Sequence, residues 1–341
     1  MLYVLCFLLV LTIGSGCSTP SQAPVQAPNP ALVWPLPPEK PRIQYLYSIS
    51  RPEHMDISPS FVERVGNLLA GAKPAPEIVR PHGIYFSRDL VLYVTDPGSQ
   101  AVHLFDTRNR RYRQIKRYGK LNLVSPIGVA ADESGFLYVS DSVLRKVLVF
   151  GSKVDPVREI GGEDRFSRPT GIAIDSLLRR LYVVDTMGHS IHAFDLQGNF
   201  LFRFGERGNG KGEFNYPTSL TADRNGNLYV NDSLNFRVQV FGPDGQFLRL
   251  FGRHGDGMGE FSNPKGIALD AEGHIYVADA VFDSVQIFDE RGELLLYFGE
   301  AGQGPGEFWI PASLFIDQAN RIFVSDSYNQ RVHVFQFLGG N

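Results

Sequence analysis

A unit of 43–48 residues recurs along most of the chain, and this repeat limits the possible folds more than any other feature. The copies begin at six prolines: Pro81, Pro126, Pro169, Pro217, Pro264 and Pro311. Each complete copy contains four short apolar runs rich in Val, Ile, Tyr and Phe, separated by Asp, Asn and Gly. Such runs predict β-strands joined by tight turns. Four strands at this period are typical of a propeller blade, so six copies predict an all-β, six-bladed β-propeller.

The sixth copy is shorter than the others. It ends after its third predicted strand, which would leave an open edge in the last blade. A matching strand lies near the other end of the chain, at Arg42–Ser50, with the sequence RIQYLYSIS. We predict that this strand completes blade six and that residues 42–341 form one closed domain. Length alone would allow about two domains, so it is the repeat that favours one.

Two copies share a longer motif. It reads LYVND followed by SLNFRVQVF at Leu228–Phe241, and IFVSD followed by SYNQRVHVF at Ile322–Phe335. These segments resemble the NHL-repeat family of propellers. The resemblance implies a six-bladed ring from Pro81 to Phe335 that Arg42–Ser50 closes. Some related propellers are metal-dependent lyases or lactonases that hold their metal with several His or carboxylate side chains in the channel, and some NHL propellers bind RNA.

The first residues predict an export signal. Leu2–Ile13 is a continuous apolar run, too short to span a hydrocarbon core of ~30 Å but as long as the core of a signal peptide. Gly14, Ser15 and Gly16 then precede Cys17, an order that resembles the lipobox of bacterial lipoproteins. The resemblance implies a signal peptide at residues 1–16 and a lipid on Cys17. An ordinary secretory signal cut near Gly16 and an uncleaved membrane anchor are the alternatives.

A change of composition follows the cysteine. Residues 17–41 are rich in Pro, Ala and Gln, which predicts an extended tether between the membrane and the folded domain. By the lipoprotein resemblance, Ser18 implies sorting to the outer membrane of a Gram-negative cell, with the propeller facing the periplasm. The two cysteines, Cys6 and Cys17, both lie in the first seventeen residues, so the predicted domain has no thiol.

Apolar residues recur at helical spacing between the closing strand and blade one. Phe61, Val65, Leu68 and Leu69 would share one helix face, and Gly71 can end the helix. We predict a short amphipathic helix over residues 59–70. The helix either packs on the propeller or docks a partner.

An aspartate ends the second predicted strand of every blade. These residues are Asp96, Asp141, Asp185, Asp232, Asp279 and Asp326. A catalytic carboxylate is needed once or twice in a protein, whereas a carboxylate that recurs in all blades has a task that every blade requires. We predict that it accepts turn N–H groups and that Asp232 and Asp326 pair with Arg237 and Arg331. A ring of carboxylates that binds calcium is the alternative.

The residue after each repeat proline should lie at the mouth of the central channel. This position varies: His82, Ile127, Thr170, Thr218, Lys265 and Ala312. Variable side chains in a regular frame are where ligand specificity can reside, so His82, Thr170, Thr218 and Lys265 are candidate ligand-binding residues. The eight histidines fall at different places in the repeat, and neither an HExxH motif nor a nucleophile elbow occurs, so we predict no metal site and no cofactor.

A cluster of basic residues stands out in a chain of formal net charge -3. We name it the basic cluster: Arg108, Arg110, Arg111, Arg113, Lys116, Arg117 and Lys120. No acidic residue lies between Asp106 and Asp132, so the predicted outer part of blade one carries a strong positive field. The cluster either contacts an anionic surface or protects an edge strand from pairing.

These patterns favour a non-catalytic scaffold of the cell envelope, a monomeric propeller whose faces bind a protein or a cell-wall polymer. A metal-dependent lyase or hydrolase with its site in the channel around His82 is the alternative. Export and the balanced overall charge argue against a nucleic-acid partner.

Overall fold

The computed structural model describes residues 32–58 and 77–339. The signal peptide, Cys17 and the helix predicted over residues 59–70 lie outside this part of the chain. No helix among the described residues is both long enough and apolar enough to cross a membrane.

The described residues form 27 strands and two short 3-10 helices, at Pro52–Met55 and Ser233–Asn235. In chain order the strands are β1 (Val33–Trp34), β2 (Ile43–Ile49), β3 (Ile84–Phe86), β4 (Val91–Asp96), β5 (Ala101–Asp106), β6 (Arg111–Ile115), β7 (Arg117–Tyr118), β8 (Leu121–Asn122), β9 (Pro126–Ala131), β10 (Leu137–Asp141), β11 (Lys146–Phe150), β12 (Pro156–Gly161), β13 (Pro169–Asp175), β14 (Arg180–Asp185), β15 (Ser190–Asp195), β16 (Phe200–Phe204), β17 (Pro217–Ala222), β18 (Leu228–Asp232), β19 (Arg237–Phe241), β20 (Phe247–Phe251), β21 (Pro264–Leu269), β22 (Ile275–Asp279), β23 (Ser284–Phe288), β24 (Leu294–Phe298), β25 (Pro311–Ile316), β26 (Arg321–Asp326) and β27 (Arg331–Phe337).

Of the 27 strands, 25 assemble into six antiparallel sheets, one for each blade, and confirm the predicted six-bladed propeller. Blades one to five are β3–β6, β9–β12, β13–β16, β17–β20 and β21–β24. In each blade the first strand is innermost, because the first strands of neighbouring blades contact one another around the axis. The hairpin β7–β8 lies in the connection from blade one to blade two.

Blade six combines both ends of the described chain, as predicted. Its strand order is β1-β2-β27-β26-β25, and β2 pairs with β27 through Ile43↔Phe337 and Ile49↔Val332. The extended tether predicted for residues 17–41 is wrong at Val33 and Trp34. These two residues form the fifth strand, β1, and pair with β2 instead of extending into solvent. Burial explains this docking, because the Trp34 ring contacts Phe298 and Phe335 at 6.0 and 5.8 Å between centroids.

The apolar core lies between blades rather than within one sheet. One cluster joins Tyr182 and Val184 of blade three to Leu228, Val230 and Phe241 of blade four, and all five side chains are buried. The second and third strands of a blade are therefore buried on both faces, which explains their nearly continuous runs of Val, Ile, Leu and Phe. The innermost strands approach each other main chain to main chain. A Cβ on Gly128 would lie 2.4 Å from the carbonyl oxygen of Thr170, so only glycine fits there.

Candidate functional site

One end of the propeller collects the candidate residues, and we name it the Asp face. It is the end at which all second strands finish, at Asp96, Asp141, Asp185, Asp232, Asp279 and Asp326. The turns between second and third strands and the blade-to-blade loops also lie there, because antiparallel strands alternate in direction. The first strands begin at the same end, so the residues after the repeat prolines surround the channel mouth.

The six aspartates hold the loops that lead into their own blades. Each carboxylate is buried and accepts at least one backbone N–H from such a loop. The donors are Val79 and Arg80, Val124 and Ser125, Ser167 and Arg168, Asn215, Ser262 and Asn263, and Trp309. These hydrogen bonds give each carboxylate a structural task.

Asp96 shows how strongly such contacts favour the charged form. Burial disfavours ionisation, but the hydrogen bond with His103 and those from the N–H groups of Val79 and Ser99 outweigh it, so the pKa of Asp96 falls to about 2. The Nε2 atom of His103 lies 3.0 Å from Oδ2 of Asp96.

Two arginines extend this arrangement to the glycine-rich loops. Arg237 Nε donates to Asp232 Oδ2 over 2.7 Å, and its other nitrogens donate to the carbonyl oxygens of Asn209, Gly210 and Glu213. Arg331 binds Asp326 and the carbonyl oxygens of Gln303, Gly304 and Glu307 in the same way. Each guanidinium therefore clamps a loop to a buried carboxylate. Blade five has Ser284 in place of the arginine, and the buried Ser284 hydroxyl has no hydrogen-bond partner among the described residues.

The central channel encloses about 240 Å³. Most of its lining comes from the apolar side chains and the main chain of the innermost strands, including Ile172, Leu220 and Leu314. Tyr85 and Phe315 face each other across adjacent blades at 5.2 Å between ring centroids. Polar atoms contribute at least as much of the exposed lining as apolar atoms, so the channel can bind a ligand through both hydrogen bonds and apolar contact.

The hydroxyl groups of Thr170 and Thr218, two of the candidate ligand-binding residues, also have a task within the fold. Thr170 Oγ1 donates to the carbonyl oxygen of Thr218 over 3.1 Å, and Thr218 Oγ1 donates to that of Lys265 over 2.9 Å. Each bond joins the innermost strands of adjacent blades. Because the hydroxyl proton is already used, these two threonines link blades rather than donate to a ligand.

His82 and Lys265 remain at the channel mouth, and both are partly buried. Burial, together with the positive charges of Lys265 and Arg168, lowers the pKa of His82 to about 4. Burial also lowers the pKa of Lys265, against the opposing charge of Asp279. Within the described part of the chain, no acidic side chain lies within 4.0 Å of the Lys265 amine. The mouth therefore presents a neutral imidazole and an ammonium group that has no direct ion-pair partner among the described residues.

The other histidines are placed away from the channel. His103, His189, His274 and His333 each bond a nearby carboxylate or carbonyl group. No group of three or more His, Cys, Asp or Glu side chains among residues 32–58 and 77–339 has the geometry to hold a metal ion.

The basic cluster lies on the outer edge of blade one. Its residues run along the turn before β6, β6 itself and the β7–β8 hairpin, and all seven are exposed. Among the described residues, Arg108 alone in the cluster has an acidic partner, Asp89 at 3.7 Å. Arg111 and Arg113 point outward from β6, while Tyr112 between them turns inward to His103. The cluster is therefore an uncompensated positive strip on a rigid strand.

Comparison with known proteins agrees with this architecture. The family described as 6-bladed beta-propeller matches residues 170–230, 222–281 and 270–341, which together span just over half of the chain. The chain belongs to the 6-bladed beta-propeller family.

The relatives of this 6-bladed beta-propeller are distant. Peptidyl-glycine alpha-amidating monooxygenase A of Xenopus laevis is 29% identical over 157 residues, which cover 42% of this chain and 16% of that protein. Virginiamycin B lyase from Staphylococcus aureus has 13% identity and a TM-score of 0.57, covering 76% of this chain and 96% of the lyase. A protein of unknown function from Bacteroides thetaiotaomicron has 16% identity and a TM-score of 0.60, covering 77% of this chain and 70% of that protein. At these identities the two structures show a shared fold, consistent with an NHL-type propeller.

Sequence reasoning missed the hydroxyl groups that join the blades of this propeller. Thr95 Oγ1 donates to the carbonyl oxygen of Ile127, and Ser327 Oγ donates to that of Pro81, each over 2.6 Å. Both hydroxyls stand directly beside a repeat aspartate in the sequence. A search for Ser and Thr at the two positions flanking that aspartate would have found them.

Replacing His192 by leucine should reduce the loss of stability in acid. Burial lowers the pKa of His192 to about 4, with Asp185 opposing and Arg203 and Arg165 adding to the shift. The unfolded residue titrates near 6.5, so the propeller loses about 2–3 kcal/mol through this group as the pH falls from about 7 to about 4. Urea unfolding at pH 7 and pH 4.5 measures this loss as a fall in the free energy of unfolding, and the variant should not show it.

Leucine suits the site of His192, because the corresponding residue of blade two is the buried Leu148. The matched control is His254→Leu, since His254 is exposed on a loop and should leave the pH dependence unchanged. An equal acid loss in wild type and in His192→Leu would contradict the assignment.

Proposed function

We propose that this 6-bladed beta-propeller is a non-catalytic binding and assembly scaffold held against an anionic surface of the bacterial cell envelope. The observation that carries the proposal is the basic cluster, in which six of the seven side chains have no acidic partner among the described residues. A positive strip on a rigid edge strand attracts anionic headgroups or polymers through charge, at about 1 kcal/mol per basic residue near such a surface.

The placement of the polar groups supports a scaffold. The six repeat carboxylates hold blade-entry loops, and Thr170 and Thr218 hold neighbouring strands, so these groups maintain the frame. A frame of this kind presents large, stable faces to a protein or polymer ligand. Among the described residues no carboxylate side chain lines the channel, which supports binding by contact rather than acid–base chemistry.

The path of the chain supports attachment beside the basic cluster. In this proposal Cys17 carries lipid after removal of residues 1–16, and the following residues are the tether to an outer membrane. The chain joins the propeller through β1, on the outer edge of blade six. Blade six neighbours blade one, whose outer edge carries the basic cluster, so β1 enters the propeller on the blade next to the cluster.

Reversing three charges of the basic cluster should weaken binding to anionic vesicles. The test compares Arg110→Glu/Arg111→Glu/Arg113→Glu with the parent chain, both with Cys17→Ser so that no lipid masks the effect. Loss of three attractive charges should lower the partition coefficient on phosphatidylglycerol vesicles about a hundredfold, measured by co-sedimentation at low salt. Raised salt should remove the difference.

The matched control is Arg203→Glu/Arg224→Glu/Arg291→Glu, which changes the net charge equally at exposed sites on other blades that form no salt bridge with another described residue. The control should bind almost as well as the parent chain. Equal losses in both triple variants would show that total charge matters and not the cluster, and unchanged binding in both would reject the proposal.

A further inference from the structure

Apolar side chains form a second feature of the Asp face. In five blades the residue two positions after the repeat aspartate is apolar and between 46% and 60% exposed. We name these residues the apolar ring: Val143, Met187, Leu234, Val281 and Tyr328. Blade one has Gly98 at this position, which leaves a gap in the ring. Turn residues are usually polar, so an exposed apolar side chain at the same turn position of five blades points to contact with a partner.

The main chain holds the apolar ring close to the channel mouth. Each turn donates a backbone N–H to the carbonyl oxygen of a residue one or two positions before the repeat proline, which begins the innermost strand. The pairs are Ser142 to Ser125, Thr186 to Arg168, Leu234 to Asn215, Ala280 to Asn263 and Tyr328 to Trp309, at 3.0–3.2 Å. Trp309, also exposed, packs on Tyr328 at 5.4 Å between centroids and widens the ring.

Positive charge lies inside and beside this ring. Lys265 is partly buried at the channel mouth, Arg168 is exposed there, and neither has an acidic side chain within 4.0 Å among the described residues. Arg80 lies over the Tyr328 ring at 5.6 Å. The nearby carboxylate of Asp279 accepts four backbone N–H groups, from Ser262, Asn263, Val281 and Phe282, and is fully buried. The mouth is therefore a cationic centre inside an apolar rim.

We propose that the Asp face binds an acidic peptide segment of a protein partner. A carboxylate of the segment occupies the channel mouth near Lys265, and flanking apolar side chains pack on the apolar ring. This inference rests on the proposed scaffold function and names the chemistry of one ligand. Complementary charge supplies the specificity, and the apolar contacts supply most of the affinity.

The charges disfavour two other occupants. A second copy docked face to face would bring two Lys265 and two Arg168 side chains together in a desolvated interface, which is repulsive. A flat bilayer would meet the exposed ring but not Lys265, which is partly buried at the channel mouth behind it. A peptide can bring a carboxylate into the mouth while its neighbouring side chains cover the ring.

A displayed library of random seven-residue peptides, panned against the full chain with Cys17→Ser, tests the proposal. Selected peptides should carry Asp or Glu flanked by apolar residues. Fluorescence polarisation with a selected peptide should show that Kd weakens about tenfold or more in Lys265→Met and in Val281→Asp. Lys265→Arg, which keeps the charge, should bind within about threefold of the parent chain.

The matched control is Leu177→Asp, because Leu177 is 70% exposed in a turn between first and second strands, at the opposite end of the propeller. It should bind the peptide as the parent chain does. The proposal is overturned if panning yields no binders, if the binders lack acidic residues, or if the variants bind equally. If Val281→Asp loses binding to phosphatidylglycerol vesicles, the apolar ring contacts lipid, and this result would also overturn the proposal. The triple variant of the basic cluster should still bind the peptide. Failure of the peptide proposal can therefore be distinguished from failure of the envelope proposal.

Discussion

Replacing Ile43 and Ile49 by alanine should unfold most of the propeller. Both side chains are fully buried on β2, the strand that closes the ring, and they belong to two different core clusters. Each truncation leaves a cavity that costs about 2–5 kcal/mol, and the costs should add because the sites share no partner. The sum is comparable with the whole stability of an ordinary domain, about 5–15 kcal/mol.

Thermal unfolding followed by circular dichroism measures this effect, with Leu46→Ala as the matched control. Leu46 lies on the same strand but is 38% exposed, so its truncation should cost less than about 1 kcal/mol. If the double variant melts like the parent chain, the ring does not depend on its closing strand. A separate early transition would show that blade six unfolds alone.

Replacing Arg237 by methionine should destabilise the propeller by about 3–5 kcal/mol. The guanidinium pairs with Asp232, whose side chain is 0% exposed, and it donates to three loop carbonyl groups. Removing one member of a buried ion pair leaves the other charge without compensation. Urea unfolding at neutral pH measures the loss, and Arg331→Met should behave alike because Arg331 makes the same contacts in blade six.

Two further variants separate the buried pair from an ordinary surface pair. Arg253→Met removes a salt bridge to Glu260 of similar length, 2.8 Å, but the Arg253 side chain is 81% exposed, so the cost should stay below about 1 kcal/mol. Adding Asp232→Asn to Arg237→Met should recover part of the loss, since no buried charge is then unpaired. Equal costs for Arg237→Met and Arg253→Met would contradict the clamp.

The repeat made much of this structure predictable. The period, the apolar runs and the missing strand of the last copy led to six blades and to Arg42–Ser50 as the closing strand. The six blade sheets confirm the first prediction, and the pairing of β2 with β27 confirms the second. The arginine contacts could also be expected, because Arg237 and Arg331 stand five residues after an aspartate across a tight turn. Such features are local or periodic, so a single sequence displays them.

Other features depended on partners from distant parts of the chain. Thr170 and Thr218 looked free at the channel mouth, but their acceptors are main-chain atoms 48 and 47 residues further on. The docking of Val33 and Trp34 likewise needed the aromatic surface of Phe298 and Phe335. A pattern of side chains cannot show which carbonyl group a hydroxyl will meet.

The amino-acid sequence alone thus established the number of blades, their closure and the position of the basic cluster, because each follows from spacing along the chain. Folding determined which polar groups stay available to bind a ligand. It committed the six repeat carboxylates and two threonines to internal hydrogen bonds. Within the described part of the chain, it left Lys265 without a direct ion-pair partner inside a ring of exposed apolar turns. The physical reason is that a buried polar group must find a partner, and only packing the blades against one another decides which groups are buried.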